Sequence, residues 1–130
     1  MIMVDTSVWV DYFNGNNTRQ TETLDNALID GLVVIGDVIF LEILQGFRND
    51  NDYKQAQRTL STLDHYPMLG TAMVADCASN YRTLRKSGIT IRRTTDVVIA
   101  TFCIKNKLPL LFQDRDFIPF VEKLKLKPAI

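Results

Sequence analysis

The sequence is poor in the side chains from which zinc sites and nucleophilic triads are built. It has a single histidine, His65, and two cysteines, Cys77 and Cys103, in 130 residues. A structural zinc site takes about four such ligands in paired spacings, so composition argues against zinc. Both cysteines lie in helical patterns of a chain long enough to fold without disulfides, and we expect reduced thiols in the core. His65 has no serine or cysteine partner in a recognisable catalytic motif, so we expect a structural or surface role.

Long uncharged apolar runs are also missing. The most apolar stretch, Gly31 to Phe47, is 17 residues long and is interrupted by Asp37 and Glu42, whereas a membrane helix needs about 20 apolar residues. The amino-terminal segment lacks the basic start and small-residue cleavage site of a secretion signal. We therefore expect a cytoplasmic protein without a membrane span, folded as a single domain over residues 1–130.

Neither a glycine-rich phosphate loop nor an excess of one charge is present. The six glycines form no known nucleotide-binding motif, and the net charge is zero. The charge is nevertheless uneven, because residues 1–65 hold four basic and ten acidic residues and residues 66–130 hold eleven and five. Such an asymmetry can orient a polyanionic partner.

Short apolar runs alternate with helical patterns along the chain. Strands are predicted at Ile2–Val4, Leu32–Ile35 and Leu108–Phe112. Helices are predicted at Ser7–Phe13, Thr21–Ile29, Asp37–Gln45, Tyr53–Leu63, Thr71–Lys86 and Asp96–Lys105, with a polar corner at Asn49–Asp52. Thr95 is expected to cap the last of these helices. This alternation favours an α/β fold with a mostly parallel sheet covered on both faces, whose ligands bind at the carboxyl ends of the strands.

Acidic residues occupy the positions that such a fold brings to one edge. Asp5 follows the first strand, Glu42 lies within an apolar helix, Asp96 opens a helix, and Asp114 and Asp116 follow the last strand. Each has a purely structural alternative. Asp5 would cap a helix, Glu42 would belong to a solvated stripe, Asp96 would complement a helix dipole, and Asp114 with Asp116 would be turn residues.

Taken together, the acids point to metal chemistry. Converging carboxylates repel one another and need cations, and hard ions such as Mg²⁺ and Mn²⁺ bind carboxylate oxygens while leaving positions open for phosphate. Such an ion activates a water molecule for phosphoryl transfer, so no protein nucleophile is required.

At these residues the sequence resembles the PIN-domain ribonucleases, and most of all the VapC-type toxins of toxin–antitoxin pairs. The resemblance spans essentially the whole chain. The stretch before Asp114 carries Phe112 and Gln113, where the family often has a small hydroxyl residue or a histidine. The matching segments are MVDTSVWVDYF with Asp5 and the hydroxyls of Thr6 and Ser7, IFLEIL with Glu42, TTDVVIA with Asp96, and LLFQDRDF with Asp114 and Asp116.

The resemblance implies a PIN-like three-layer α/β/α fold and a metal-dependent endoribonuclease. Mg²⁺ or Mn²⁺ would be held by Asp5, Glu42, Asp96 and Asp114, with Asp116 supporting a second ion. It also implies that the protein forms a homodimer, and that a cognate antitoxin blocks the site. From their position we add Arg92, Arg93 and Arg115 as candidate contacts to the RNA backbone.

Two rival interpretations remain open at the level of sequence. A phosphoacceptor receiver-like domain also gathers aspartates at strand ends, but it needs an acidic pair after the first strand, where this chain has Thr6 and Ser7. A catalytically inactive PIN-like module that binds RNA or a partner protein is the second, and the complete set of acids argues against it.

Overall fold

A computed structural model describes all 130 residues as a parallel four-stranded sheet with helices packed around it. The strands are β1 (Ile2–Val4), β2 (Val33–Gly36), β3 (Asp64–Tyr66) and β4 (Leu110–Leu111). The helices are α1 (Thr6–Phe13), α2 (Arg19–Ile29), α3 (Asp37–Gly46), α4 (Asp50–Ser61), α5 (Thr71–Lys86), α6 (Thr94–Lys105) and α7 (Ile118–Leu124), with a 3-10 turn at Arg115–Phe117. None of these helices has both the length and the apolar character needed to cross a membrane.

The sheet has the strand order β3-β2-β1-β4, and every neighbouring pair is parallel. Consecutive residues of β1 and β2 are buried, among them Met3 and Val4. Because successive side chains of a strand point to opposite faces, both faces of the sheet are covered. The predicted α/β class and its mostly parallel central sheet are therefore confirmed.

The strand order creates a crevice beside β1. The chain runs from β1 to β2 and β3 on one side, and later places β4 on the other side of β1. The Asp5 backbone N–H donates to the Leu111 carbonyl oxygen at 2.9 Å, which fixes the carboxyl ends of β1 and β4 side by side. In open α/β sheets, ligands bind where the strand order reverses in this way.

Helix α6 is the central helix of the molecule. Its residues from Asp96 to Cys103 are all buried, so the helix has no solvated stripe and is surrounded by the rest of the chain. Its first turn consequently carries the carboxylate of Asp96 into the interior. Cys77 and Cys103 are free and buried, as expected.

Local polar contacts explain where the observed helices depart from the predicted ones. Asn49 was expected in a polar corner, but its Oδ1 accepts the N–H groups of Asn51 and Asp52 at 2.8 and 3.1 Å, and it starts α4 at Asp50. Thr95 was expected to cap α6, but the helix begins at Thr94 and has no side-chain cap. The Thr95 hydroxyl instead donates to the carboxylate of Glu42.

Strand β3 was not predicted at all. Its three residues are exposed, and they pair with β2 at the edge of the sheet. Short polar edge strands of this kind lack the apolar signal that identifies a buried strand. His65 lies in β3, with Nε2 2.9 Å from the Leu60 carbonyl oxygen and its ring edge-on to Phe40, which is the structural role expected.

Gly36, at the end of β2, provides a test of core packing. A Cβ at this position would overlap Sδ of Met68, whose side chain is fully buried. We predict that Gly36→Ala destabilises the protein by about 1–3 kcal/mol, because overpacking forces the core to shift. Urea denaturation measures the change in the free energy of unfolding.

Gly46 supplies the matched control for this prediction. It ends α3, and a Cβ there meets no atom within 4 Å. Gly46→Ala should leave stability unchanged or raise it by up to about 1 kcal/mol, since alanine favours the helix. Equal stability of the two variants would show that Met68 does not pack closely on Gly36.

Candidate functional site

An open cavity of about 490 Å³ lies at the carboxyl edge of the sheet and gathers four of the five predicted acids. Its one basic lining residue is Arg93. The cavity therefore holds a formal charge of four negative when all of its groups are ionised. The acidic lining residues are Asp5, Asp11, Glu42, Asp96 and Asp114.

Asp5 is both a helix cap and a member of the cavity. Its Oδ2 accepts from the hydroxyl of Ser7 at 2.9 Å and from the backbone N–H of Ser7 at 3.4 Å, which starts α1. The residue is only 3% exposed, and both hydrogen bonds from Ser7 end on the same carboxylate oxygen. One side chain thus starts α1 and lines the cavity.

Glu42 is held by hydroxyl groups from two other helices. Thr6 of α1 donates to Oε1 at 2.7 Å, and Thr95 of α6 donates to Oε2 at 3.3 Å. The side chain is half-buried. The interpretation of Glu42 as part of a solvated stripe is therefore wrong, because three helices fix the position of its carboxylate.

Arg93 joins two further acids of the cavity, Asp96 and Asp114. Its Nε donates to Oδ2 of Asp96 at 3.1 Å, and its Nη2 donates to Oδ2 of Asp114 at 2.7 Å. Asp96 is 2% exposed, and the Arg93 side chain is 54% exposed. Asp114 also caps the 3-10 turn, with Oδ1 accepting the Asp116 N–H at 2.9 Å.

Asp116 lies at the rim, outside the cavity lining. Its Oδ2 accepts from Nε and Nη2 of Arg92 at 3.3 and 3.1 Å. Oxygens of Asp96, Asp114 and Asp116 lie within 4.8 Å of one another, close enough to share a cation. Arg115 is exposed and forms no ion pair.

Burial controls the ionisation of the two innermost acids. Loss of hydration raises the pKa of Asp5 from its ordinary 3.8, although the hydrogen bonds from Ser7 oppose that effect. Burial likewise raises the pKa of Asp96 to about 6, and the charges of Asp5 and Asp114 act in the same direction against the lowering effect of Arg93. The chain alone therefore does not fully offset the negative charge of the cavity.

The chemistry of the donor set fits a hard divalent cation. The cavity offers carboxylate, hydroxyl and amide oxygens, and neither histidine nor cysteine lines it. All-oxygen sites of this kind suit Mg²⁺ and Mn²⁺ and leave coordination positions for water and phosphate. Asp5, Glu42, Asp96 and Asp114 line this cavity, and the oxygens of Asp96, Asp114 and Asp116 form the group that lies close enough to hold one ion.

Sequence reasoning missed three features of this site. Asp11 lines the cavity; it follows Ser7 by four residues on α1, and helical spacing places the two on one face. Thr95 was treated only as a cap, whereas it holds Glu42. The pairing of Arg93 with two acids depends on a contact between residues 21 positions apart, which no local pattern reveals.

The fold and the acidic cavity define a class of α/β protein with a carboxylate site where the strand order of a parallel sheet reverses. The sequence profile of the PIN domain matches residues 2–121. The chain therefore belongs to the PIN domain family. It is 28% identical to "Ribonuclease VapC11" of Mycobacterium tuberculosis (strain ATCC 25618 / H37Rv) over 119 residues, covering 90% of this chain and 89% of the relative.

Solved structures share the same fold. VapBC2 from Rickettsia felis, bound to a DNA fragment from its promoter, superposes with a TM-score of 0.75 at 20% identity, covering 99% of this chain and 98% of the other. FitAcB from Neisseria gonorrhoeae superposes with a TM-score of 0.73 at 16% identity, covering 98% and 96%. The likeness shows the PIN fold and, with the family match, excludes the receiver-like alternative.

The raised pKa of Asp96 predicts the pH dependence of the metal-free chain. A carboxyl whose pKa rises from 3.8 to about 6 on folding favours the folded state when protonated. Its contribution is complete below pH 3.8 and is lost as the pH rises through 6. We predict that Asp96→Asn, in chelator, is more stable than wild type by about 2–3 kcal/mol at pH 8, with little difference near pH 4.

Urea denaturation across this pH range measures the effect. Asp64→Asn is the control, since Asp64 is exposed at the amino end of β3, away from the cavity, and makes no side-chain hydrogen bond. A constant difference between wild type and Asp96→Asn at every pH would contradict the assigned cause.

Proposed function

We propose that this chain is a Mg²⁺- or Mn²⁺-dependent endoribonuclease and the toxin of a toxin–antitoxin pair. The observation that carries the proposal is the convergence of Asp5, Glu42, Asp96 and Asp114 in one cavity of a PIN-family chain. The name of the M. tuberculosis relative, a ribonuclease, supports RNA as the substrate. The cluster of Asp96, Asp114 and Asp116 supports a second ion.

In this proposal the four acids hold the ion and hydroxyl groups position the acids. A bound Mg²⁺ or Mn²⁺ lowers the pKa of a water molecule and stabilises the charge that develops on the attacked phosphate. Ser7 orients Asp5, and Thr6 with Thr95 fixes both oxygens of Glu42. Such contacts behind metal ligands typically affect metal affinity or activity by about 10- to 100-fold.

Basic side chains near the cavity would hold the RNA backbone. Arg92 is 77% exposed and Arg115 is exposed and unpaired, so both can reach a phosphate. Arg93 lies closer to the reaction site, between Asp96 and Asp114. These cations would offset the repulsion between a polyanion and the acidic cavity, and RNA affinity should fall as salt rises.

The proposal includes a cognate antitoxin, a homodimer and a location in the cytoplasm. The solved structures that share the fold include "Toxin-antitoxin complex from Klebsiella pneumoniae" and VapBC-5 of M. tuberculosis, which supports an antitoxin partner. That this partner blocks the cavity rests on the family resemblance. The homodimer rests on the family resemblance. We further propose that residues 1–130 act as one catalytic unit.

RNA cleavage by the purified chain tests the activity. We predict cutting of RNA with Mg²⁺ or Mn²⁺ and none in chelator, and a loss of at least about 100-fold in Asp5→Asn and in Asp96→Asn, because each removes a charged ligand. Thr95→Ala should lose about 10-fold, since Glu42 keeps its bond to Thr6. Cleavage of labelled RNA, followed with time, measures the rates.

The controls separate chemistry from folding. Asp96→Asn is expected to be more stable than wild type at neutral pH, so its loss of activity cannot come from unfolding. Asp64→Asn, at the opposite edge of the sheet, should cut at the wild-type rate. Cleavage that persists in chelator would reject the metal mechanism, and RNA binding without cleavage would favour the inactive binding module.

Toxicity in cells tests the second half of the proposal. We expect expression of the chain alone to slow growth, because an unrestrained ribonuclease depletes cellular RNA. Cells that make equal amounts of Asp96→Asn should grow normally, as measured by optical density after induction. Equal growth of the two strains would count against a toxin.

A further inference from the structure

Arg93 is the one positive charge inside the acidic cavity. It precedes α6, yet it bonds one acid of that helix and one acid that follows β4. The guanidinium thereby joins two segments whose carboxylates, of like charge, repel each other. Its two bonds use different nitrogens, a geometry that the planar guanidinium allows and an ammonium group does not.

The oxygens that Arg93 occupies belong to the same carboxylates that would bind a metal ion. Both of its bonds end on Oδ2 atoms, of Asp96 and of Asp114. These two acids also belong to the group whose oxygens lie within 4.8 Å of one another. A guanidinium and a divalent cation bound to the same two carboxylates repel each other, so binding of one opposes binding of the other.

Arg93 is also free to leave. Its side chain is 54% exposed, whereas that of Asp96 is 3% exposed, so the arginine lies on the solvent side of the pair. A long side chain at the mouth of a cavity can swing outward without disturbing the core. After that movement its charge stays near the rim, where a phosphate of the substrate would arrive.

We propose that Arg93 is a built-in counter-ion of the cavity, which a divalent cation must displace. The inference rests on the metal site of the proposed function. Without metal, Arg93 holds Asp96 and Asp114 together and limits their repulsion. When a divalent cation is bound, Arg93 releases Asp114 and becomes available to the RNA backbone. Arg93 is thus a positioning residue that weakens metal binding and stabilises the metal-free fold.

Two measurements on Arg93→Gln test this inference, neither of which depends on catalysis. Titration calorimetry with Mn²⁺ should show binding that is roughly three- to tenfold tighter than in wild type, since a competing ion pair has been removed. In chelator at pH 7.5 the urea midpoint should fall, because the acids lose their counter-ion. An unchanged or weaker affinity for Mn²⁺ would overturn the inference.

Two further variants identify the cause. Arg93→Lys keeps the charge but replaces the planar guanidinium by a single ammonium nitrogen, so its Mn²⁺ affinity should stay closer to wild type than that of Arg93→Gln. Lys105→Gln breaks an exposed ion pair with Asp76 outside the cavity and should leave Mn²⁺ affinity unchanged. Equal tightening in Lys105→Gln would show that loss of any cation suffices, and would also overturn the inference.

The outcomes separate this inference from the proposed function. If wild type cuts RNA with Mn²⁺ and Arg93→Gln binds the ion no more tightly, the inference fails and the function stands. If Arg93→Gln binds Mn²⁺ more tightly but wild type cuts no RNA, the inference stands and the function fails. Absence of Mn²⁺ binding to both proteins would overturn the inference together with the metal site.

Discussion

Repulsion among carboxylates that are buried together is the constraint on which the site depends. Asp5 and Asp96 are 3% and 2% exposed, and Glu42 and Asp114 line the same cavity. Burying a charge is costly unless it is paired or hydrogen-bonded. The rest of the site can be understood as the set of contacts that makes this arrangement tolerable: hydroxyl groups on Asp5 and Glu42, and a guanidinium between the other two acids.

The fold creates this constraint through ordinary packing. The parallel order of the strands brings the ends of β1 and β4 together, and the burial of residues 96–103 of α6 places Asp96 in the interior. A sequence selected only for stability would replace these acids by neutral residues. Their presence at a cost in stability is typical of functional sites, where stability and activity are opposed.

Much of the fold was predictable because its local signals are strong. The bounds of β1 and α5 match the prediction, since β1 is an apolar run that ends in Asp5 and α5 is a long pattern that stops before Gly88, where φ is +85°. Strand β3 escaped prediction because an exposed edge strand shows no apolar pattern. Strand β4 is shorter than predicted, with only Leu110 and Leu111 in the sheet.

The sequence by itself determined which acids follow strands or open helices, and with the family resemblance it named Asp5, Glu42, Asp96, Asp114 and Asp116. The pattern of apolar and polar residues within each segment is enough to locate the ends of strands and the starts of helices. Only the tertiary structure decided that Asp11 joins the cavity, that Thr95 holds Glu42 and that Arg93 pairs with two acids. Hydrogen bonds and ion pairs between distant segments depend on distances of a few ångströms, and only packing of the whole chain sets those distances.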